Sequence, residues 1–474
     1  MEEVRVGRAQ LERFLNLLSP ERAQRFLDHI DRAVPLLEGR IVWNVNSTAQ
    51  GGGVAEMLRA LLSYTSAAGV DTRWLVIDGN ERFFVATKRL HNLLHGEPGD
   101  GGRLGDQERQ DFIAVQQRNA QQLTRRVSAG DVVLLHDPQT AGLVEPLQRA
   151  GVHVVWRCHI GTDVRNACTD QGWSFLRPFL EGADGFVFSR REYVPEWVPD
   201  DRLAVIPPSL DPFSVKNAPM SAADVAATLT RAGLLDALSD HGSYAFVRRD
   251  GTTGTVRLHR GLVFEGGAVP AQARVVMQVS RWDRLKDMAG VLRGFADHLD
   301  KLPEDVHLAL VGPEVSGVTG DPEGAGVLQE CLDLRRGLRS EARDRIHLCG
   351  LPMDDVDENA HLVNALQRYA DVVVQKSLAE GFGLTVTEPM WKSHPVVASA
   401  VGGIRDQIVD GESGVLLEDP TDLQGLTGAL ATLLEDDALA ARLGAGAHER
   451  VQDRFLPDRH LARYVDLFER AING

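Results

Sequence analysis

From residue 41 onward the chain alternates between short apolar runs and longer amphipathic stretches. Runs at 41–46, 72–78, 131–136, 152–158, 185–189 and 203–206 read as strands, and segments such as 54–68, 109–128 and 141–150 read as helices between them. Ahead of these, Leu11, Phe14, Leu15 and Leu18, then Phe26, Ile30 and Val34, recur at helical spacing and predict two amphipathic helices over 8–37. The strand–helix rhythm predicts a parallel sheet covered on both faces.

Ile206-Pro-Pro-Ser-Leu-Asp-Pro-Phe213 interrupts the rhythm with three prolines, a stiff connection that marks a domain boundary. A second series follows, with strands near 274–280, 306–311, 345–349, 371–375 and 395–399. The pattern predicts an N-terminal domain over 1–212, a second over 213–458, and a last helix over 459–474 that packs back on the first. Residues 240–272 hold short β-prone pieces, Tyr244–Val247, Thr255–Leu258 and Leu262–Phe264, which predict a β-hairpin or small sheet inserted before the second series. The expected fold is α/β: two doubly wound, Rossmann-like domains facing across a cleft lined by strand C-termini, where such sheets bind ligands.

A net charge of −16 and a pI near 5.4 argue against a nucleic-acid partner. No apolar run is long enough to span a bilayer, and Met-Glu-Glu-Val-Arg at the start lacks the features of a signal peptide. The cysteines, Cys158, Cys168, Cys331 and Cys349, form no Cys-x-x-Cys pair. They are expected as free thiols in a cytoplasmic protein.

The densest chemistry lies at 378–392, Leu-Ala-Glu-Gly-Phe-Gly-Leu-Thr-Val-Thr-Glu-Pro-Met-Trp-Lys. The apolar run 371–375 predicts a buried strand, Glu380 sits on the loop after it, and Gly381 and Gly383 let backbone approach a ligand. A helix from Leu384 would aim free N–H groups at an anion. Glu388, a turn into that helix, can accept two hydroxyl hydrogen bonds, as from a ribose diol. A tight turn with a helix-dipole glutamate is the competing structural explanation. Ser280-Arg281-Trp-Asp-Arg-Leu-Lys286-Asp287 follows a strand and opens a helix, and Arg281 with Lys286 could neutralise a diphosphate without a metal. The competing explanation is a solvated basic helix start.

Gly51-Gly52-Gly53 after the first strand is neither a Walker loop nor a dinucleotide fingerprint, but would admit a ligand's phosphates, if it is more than a turn. His136 and His159 end strands where ligands bind, although lone histidines are more often structural. Val311-Gly312-Pro313 and Cys349-Gly350-Leu351 end strands and can offer backbone to a base, and Ala400-Val-Gly-Gly-Ile404 can offer it to phosphate. Asp355-Val-Asp357 has metal–diphosphate spacing, yet its place at a helix start favours capping.

Arg281 with Lys286, Glu380-Gly-Phe-Gly and Glu388 eight positions on resemble the donor-site signature of retaining GT-B glycosyltransferases of family four. Further stretches resemble the trehalose glycosyltransferring synthases: Gly51-Gly-Gly-Val-Ala-Glu56, Phe83 to Asn92, His136-Asp-Pro-Gln139, Trp156-Arg-Cys-His-Ile160, Pro207 to Asn217, Glu380 to Lys392, Val401-Gly-Gly-Ile404 and Gln407 to Glu412. The resemblance implies the GT-B fold and transfer of glucose from a nucleoside diphosphate glucose to glucose, giving α,α-trehalose reversibly. It implies that Arg281 and Lys286 bind the diphosphate and Glu388 the ribose. Glu380 and the backbone of Gly381, Phe382, Gly383 and Leu384 would hold the donor glucose. Gly51, Gly52 and Gly53 would border the donor phosphates and the acceptor, Gly350 and Leu351 the base, and His159 the transferred sugar, with His136 and Asp163 on the acceptor side. No permanent cofactor and no metal would be needed, the partners would be small molecules rather than membrane or nucleic acid, and the assembly a homodimer.

The chain departs from the family pattern after Cys158-His-Ile160, where Gly161-Thr162 precede Asp163 and an aspartate is expected sooner. Acceptor identity therefore stays open, with another sugar or small molecule as the alternative. A phosphorylase of the same fold, a nucleotide-sugar epimerase and a non-catalytic nucleotide-sugar-binding protein are the remaining readings.

Overall fold

The computed structural model describes residues 1–49, 53–236, 241–259, 261–315 and 323–473. The chain divides into two units, Met1–Leu210 with Phe455–Gly474, and Asp211–Arg454.

The first unit contains β1 (Glu2–Val4), β2 (Val42–Asn46), β3 (Thr72–Val76), β4 (Val132–His136), β5 (His153–Cys158), β6 (Gly185–Phe188) and β7 (Leu203–Val205). Their order is β1-β3-β2-β4-β5-β6-β7. All pair in parallel except β1, which runs antiparallel on β3. From β2 the chain steps outward to β3, then returns to the other side at β4. That reversal makes β2/β4 the switch point, and right-handed crossovers then place helices on opposite faces. β2 and β4 are buried along their whole length, as a sheet covered on both faces requires. The six strands that sequence patterning placed here are all present. β1 was not anticipated, because Glu2-Glu3-Val4 carries no apolar run and its pairing comes from the exposed edge of β3.

Two helices precede β2, Leu11–Leu15 and Pro20–Leu36, the second capped by Ser19. The helix Pro457–Asn473 completes this unit and buries Leu461, Tyr464, Val465, Leu467 and Phe468. It is pinned by an Arg22–Asp458 ion pair at 2.6 Å and by the buried Arg157, which donates to Tyr464 Oη at 2.5 Å and sits 2.8 Å from His460 Nε2.

The second unit contains β8 (Leu235–Asp236), β9 (Ala245–Val247), β10 (Thr253–Thr255), β11 (Val263–Glu265), β12 (Val269–Pro270), β13 (Arg274–Val279), β14 (Val306–Pro313), β15 (Ile346–Leu351), β16 (Val372–Gln375), β17 (Val396–Ser399) and β18 (Val415–Leu417). The main sheet is ordered β11-β15-β14-β13-β16-β17-β18, with its switch point between β13 and β16.

The inserted segment contains the expected hairpin, but its other short strands pair elsewhere. β9 and β10 do form a hairpin, but Val263–Glu265 leaves it and adds antiparallel to β15 at the edge of the main sheet. β12 pairs instead with β8. Gly350 permits the edge pairing: a side chain there would meet the Phe264 ring at 2.1 Å. The hairpin is fastened by charge. Arg248 pairs with Asp355 at 2.6 Å, and Arg257 with Asp354 at 2.7 Å and Glu358 at 2.6 Å. Asp355 also accepts from the Asp357 and Glu358 N–H groups, capping the helix Val356–Tyr369.

Candidate functional site

In the second unit the switch point gathers the candidate donor residues. Gln278 at the end of β13 donates through Nε2 to the Lys286 carbonyl at 2.7 Å. Ser280 Oγ donates to Gln375 Oε1 at 3.1 Å, and Gln375 Nε2 donates to Ser377 Oγ at 3.0 Å. These buried amides and hydroxyls tie the ends of β13 and β16 together, so the two loops leaving them are held in register. The Leu378 N–H donates to the Leu285 carbonyl at 2.8 Å, joining the loops directly.

On the first loop, Arg281 lies 3.1 Å from Asp283, whose other oxygen accepts from Leu285 N–H at 2.9 Å. Lys286 closes a 3₁₀ turn, Arg284–Lys286, and not an α-helix. The α-helix begins one residue on, at Met288, after Asp287 takes a left-handed conformation (φ 46°) and caps it through Gly290 N–H at 3.0 Å. On the second loop, Glu380 is ion-paired with Lys286. Gly383 is left-handed (φ 88°), and its missing side chain lets Glu380 fold over it, 3.2 Å from where a Cβ would stand. Gln407 Nε2 fixes the loop by donating to the carbonyls of Phe382 at 2.8 Å and Gly383 at 3.1 Å. The helix Leu384–Trp391 then starts with no side-chain cap among the described residues, so its first N–H groups can serve an anion.

Glu388 is buried, and its carboxylate meets two neighbours: Gln367 Nε2 donates to it at 2.9 Å, and Lys216 Nζ lies at 3.3 Å. Lys392 Nζ donates to Gln367 Oε1 at 2.8 Å and Asn217 Oδ1 at 3.0 Å, which orients the Gln367 amide so that its N–H₂ faces Glu388. Gly350 and Leu351 end β15, but the Gly350 N–H already donates to the Leu262 carbonyl at 2.7 Å, and the Leu351 carbonyl accepts from Glu314 N–H at 2.8 Å.

In the first unit the strand ends present histidines. His136 closes β4 and His159 follows β5, with ring centroids 5.4 Å apart and planes at 15°, an edge-to-edge pair. His136 Nδ1 lies 3.1 Å from His159 Nε2, and His136 Nε2 lies 3.1 Å from Asn44 Oδ1 on β2. Burial, with the Arg157 cation adding to it, lowers His136 to about 3 and His159 well below the ordinary histidine range. Between them Asp137 adopts φ 63°, and its Oδ1 accepts the His159 N–H at 2.7 Å. Burial pushes its carboxyl up to about 7, against the lowering effect of that hydrogen bond and of Arg157.

Asp163 is ion-paired with the buried Arg190. Gly161 lies against Tyr193 so closely that a Cβ would fall 2.1 Å from its ring, so the loop after Ile160 has room for glycine where the family pattern leads one to expect an acidic side chain. Gly53 opens the helix Gly53–Ala67, whereas Gly51 and Gly52 lie outside the described residues.

Sequence reasoning gave no role to Lys376, Lys216, Gln367 or Asp137. Lys376 is fully buried and ion-paired with Asp287. Its signal was available: a lysine directly after an apolar strand whose C-terminus faces the ligand side. Gln367 and Lys216 carried no such mark, since each gains its meaning from Glu388, 21 positions away or more.

Two doubly wound sheets, with basic residues, a glycine loop and two glutamates at one switch point, define a glycosyltransferase of the GT-B class. Residues 44–195 match the family model for the trehalose synthase N-terminal domain, and 263–450 match glycosyl transferases group 1. A trehalose synthase of Thermococcus litoralis is 35% identical over 93% of this chain and 93% of its own length. A trehalose phosphorylase of Grifola frondosa is 27% identical over 86% of this chain and 54% of its own length. The fold is shared with the alpha,alpha-trehalose-phosphate synthase (UDP-forming) of Burkholderia vietnamiensis, at a TM-score of 0.64 and 15% identity over 90% of this chain and 96% of that one. The chain belongs to the trehalose synthase family. Its class of chemistry is trehalose-related glycosyl transfer. Among the described residues no helix is long and apolar enough to cross a membrane.

Proposed function

We propose that the protein is a retaining glucosyltransferase that moves glucose from a nucleoside diphosphate glucose to free glucose, forming α,α-trehalose reversibly. The observation that carries this reading is the convergence of Arg281, Lys286, Glu380 and Glu388 on one switch point. Arg281 and Lys286 receive the diphosphate, Glu388 the ribose diol, and Glu380 with the backbone from Gly381 to Leu384 the donor glucose. Gly51, Gly52 and Gly53 are assigned to phosphate, Gly350 and Leu351 to the base, and His159, His136 and Asp163 to the sugars.

In the reaction the bond from C1 to the phosphate oxygen breaks as the acceptor hydroxyl oxygen bonds to C1 from the same face. The acceptor proton passes to the departing phosphate oxygen, so the products are trehalose and nucleoside diphosphate. No side-chain nucleophile, permanent cofactor or metal enters this scheme. The protein's contribution is positioning and stabilisation of the charge that develops on the leaving group. The reading includes a cytoplasmic homodimer working on small molecules alone.

The resemblance to trehalose phosphorylase supports a second reading, in which inorganic phosphate takes the place of the nucleotide. The reverse reaction separates them. Trehalose incubated with a nucleoside diphosphate should yield nucleoside diphosphate glucose and glucose. Glucose phosphate formed from trehalose and inorganic phosphate alone would favour the phosphorylase.

A further inference from the structure

The hydrogen bonds in the first unit have a direction. Asn44 turns Oδ1, which can only accept, toward His136 Nε2 at 3.1 Å. His136 must then carry its proton on Nε2, which leaves Nδ1 as an acceptor. Nδ1 faces His159 Nε2 at 3.1 Å, so the proton between the two rings belongs to His159 Nε2. A neutral imidazole has one N–H, and His159 is left with Nδ1 as a bare acceptor.

We propose that Asn44 and His136 are positioning residues that fix His159 in its Nε2–H tautomer, so that Nδ1 is offered as a hydrogen-bond acceptor to a sugar hydroxyl. The function of the relay rests on the glucosyltransferase reading, but its tautomers do not.

Three features make the relay rigid. Asn44 is 4% exposed and His136 1%, so water does not compete for their hydrogen bonds. The two rings lie nearly in one plane, edge to edge, as an in-plane N–H···N bond requires, and that bond resists rotation of His159 about χ2. Asp137 grips the His159 backbone at 2.7 Å from a left-handed conformation that only a specific need would retain. Both rings must stay neutral for the scheme to work, and the nearby Arg157 cation and burial favour that state. A partner that fixes the tautomer of a ligand-contacting histidine is a recurring device.

The test uses the full chain labelled with ¹⁵N-histidine, and long-range ¹H–¹⁵N correlation to read the tautomer of each ring. Spectra of His136→Phe and His159→Asn assign the signals. The expected wild-type result is His136 and His159 both protonated on Nε2. Asn44→Leu should release the pair and give His159 mixed tautomers. Asn44→Asp places a carboxylate on His136 Nε2–H, which favours an imidazolium at His136 that also donates from Nδ1, and it should turn His159 to Nδ1–H. On activity, Asn44→Leu should lower kcat for glucosyl transfer about 10-fold, the value of one hydrogen bond, while changing KM for nucleoside diphosphate glucose less than about twofold. Asn44→Asp should lower kcat by a similar factor, since it reverses the relay. A wild-type His159 protonated on Nδ1 would overturn the relay, as would Asn44→Leu with wild-type tautomers. If the tautomers are as expected but no donor is turned over, the relay stands and the glucosyltransferase reading fails.

Discussion

The ammonium of Lys286 and the carboxylate of Glu380 are ion-paired, although they come from loops on opposite sides of the β13/β16 switch point. Each therefore partly neutralises the other at the place assigned to the diphosphate and the donor sugar. Glu380→Gln should free Lys286 for the phosphates. Its affinity for nucleoside diphosphate without sugar should rise several-fold, about 1 kcal/mol, while transfer falls. Titration calorimetry against wild type checks the first half, and unchanged or weaker nucleotide binding would remove the pair from the account.

Arg281 and Lys286 are assigned to stabilise charge on the leaving diphosphate, which develops as C1 parts from oxygen. Replacing either by alanine should lower kcat on the order of 100-fold or more, the usual cost of losing one such donor. Steady-state kinetics on both variants would measure this. Turnover near wild type in both would exclude the role.

Glu388 is held by Gln367 at 2.9 Å and Lys216 at 3.3 Å, with Lys392 orienting the amide. Glu388→Gln keeps shape but loses the paired acceptors of a ribose diol. It should bind nucleoside diphosphate about 10-fold more weakly, with a melting temperature close to wild type. Equal binding of the ribo- and 2′-deoxyribonucleotide by the wild-type protein would count against the ribose contact.

Lys376 is fully buried, and its ion pair with Asp287 steadies the left-handed residue next to Lys286. Removing one member of a buried pair strands the other, at a typical cost of about 3–5 kcal/mol. Lys376→Met should lose stability on this scale in urea denaturation. Adding Asp287→Asn, which can still cap the following helix, should recover more than half of it. No recovery in the double variant would show that the lysine acts through other contacts.

Several histidines are held neutral by burial. His136 is lowered to about 3, and His347, His361 and His394 to about 4, from an ordinary 6.5. Below about pH 6.5 the unfolded chain takes up these protons and the folded chain does not, so the fold loses stability as pH drops toward 4. Asp137, raised to about 7, works in the opposite sense with a single proton. Melting temperature should fall continuously from about pH 7 to about pH 4.5. A flat profile would mean that the rings are hydrated in solution.

Much of this architecture was legible in the chain itself, because continuous apolar runs such as Val372–Gln375 must be buried on both faces. The loops after β13 and β16 were legible too, since Arg281, Lys286, Glu380 and Gly383 are local signals at strand ends. What escaped depends on distant partners. Val263–Glu265 joins the main sheet only because Gly350 leaves space for Phe264, a fact that 86 residues of chain separate from its cause. The hand-over from Asn44 through His136 to His159 joins two strands and the segment after a third, and its polarity is set by one amide. Gly161 looked like a departure from a family pattern, and its reason is the ring of Tyr193.

The measurement that tests the central claim most directly is product analysis of the pure protein with glucose and, in separate reactions, ADP-, UDP- and GDP-glucose carrying ¹³C at C1, without added metal. The account predicts ¹³C-labelled α,α-trehalose and stoichiometric nucleoside diphosphate from at least one donor. Donor left intact in all three reactions, or labelled glucose released with no disaccharide, would contradict it.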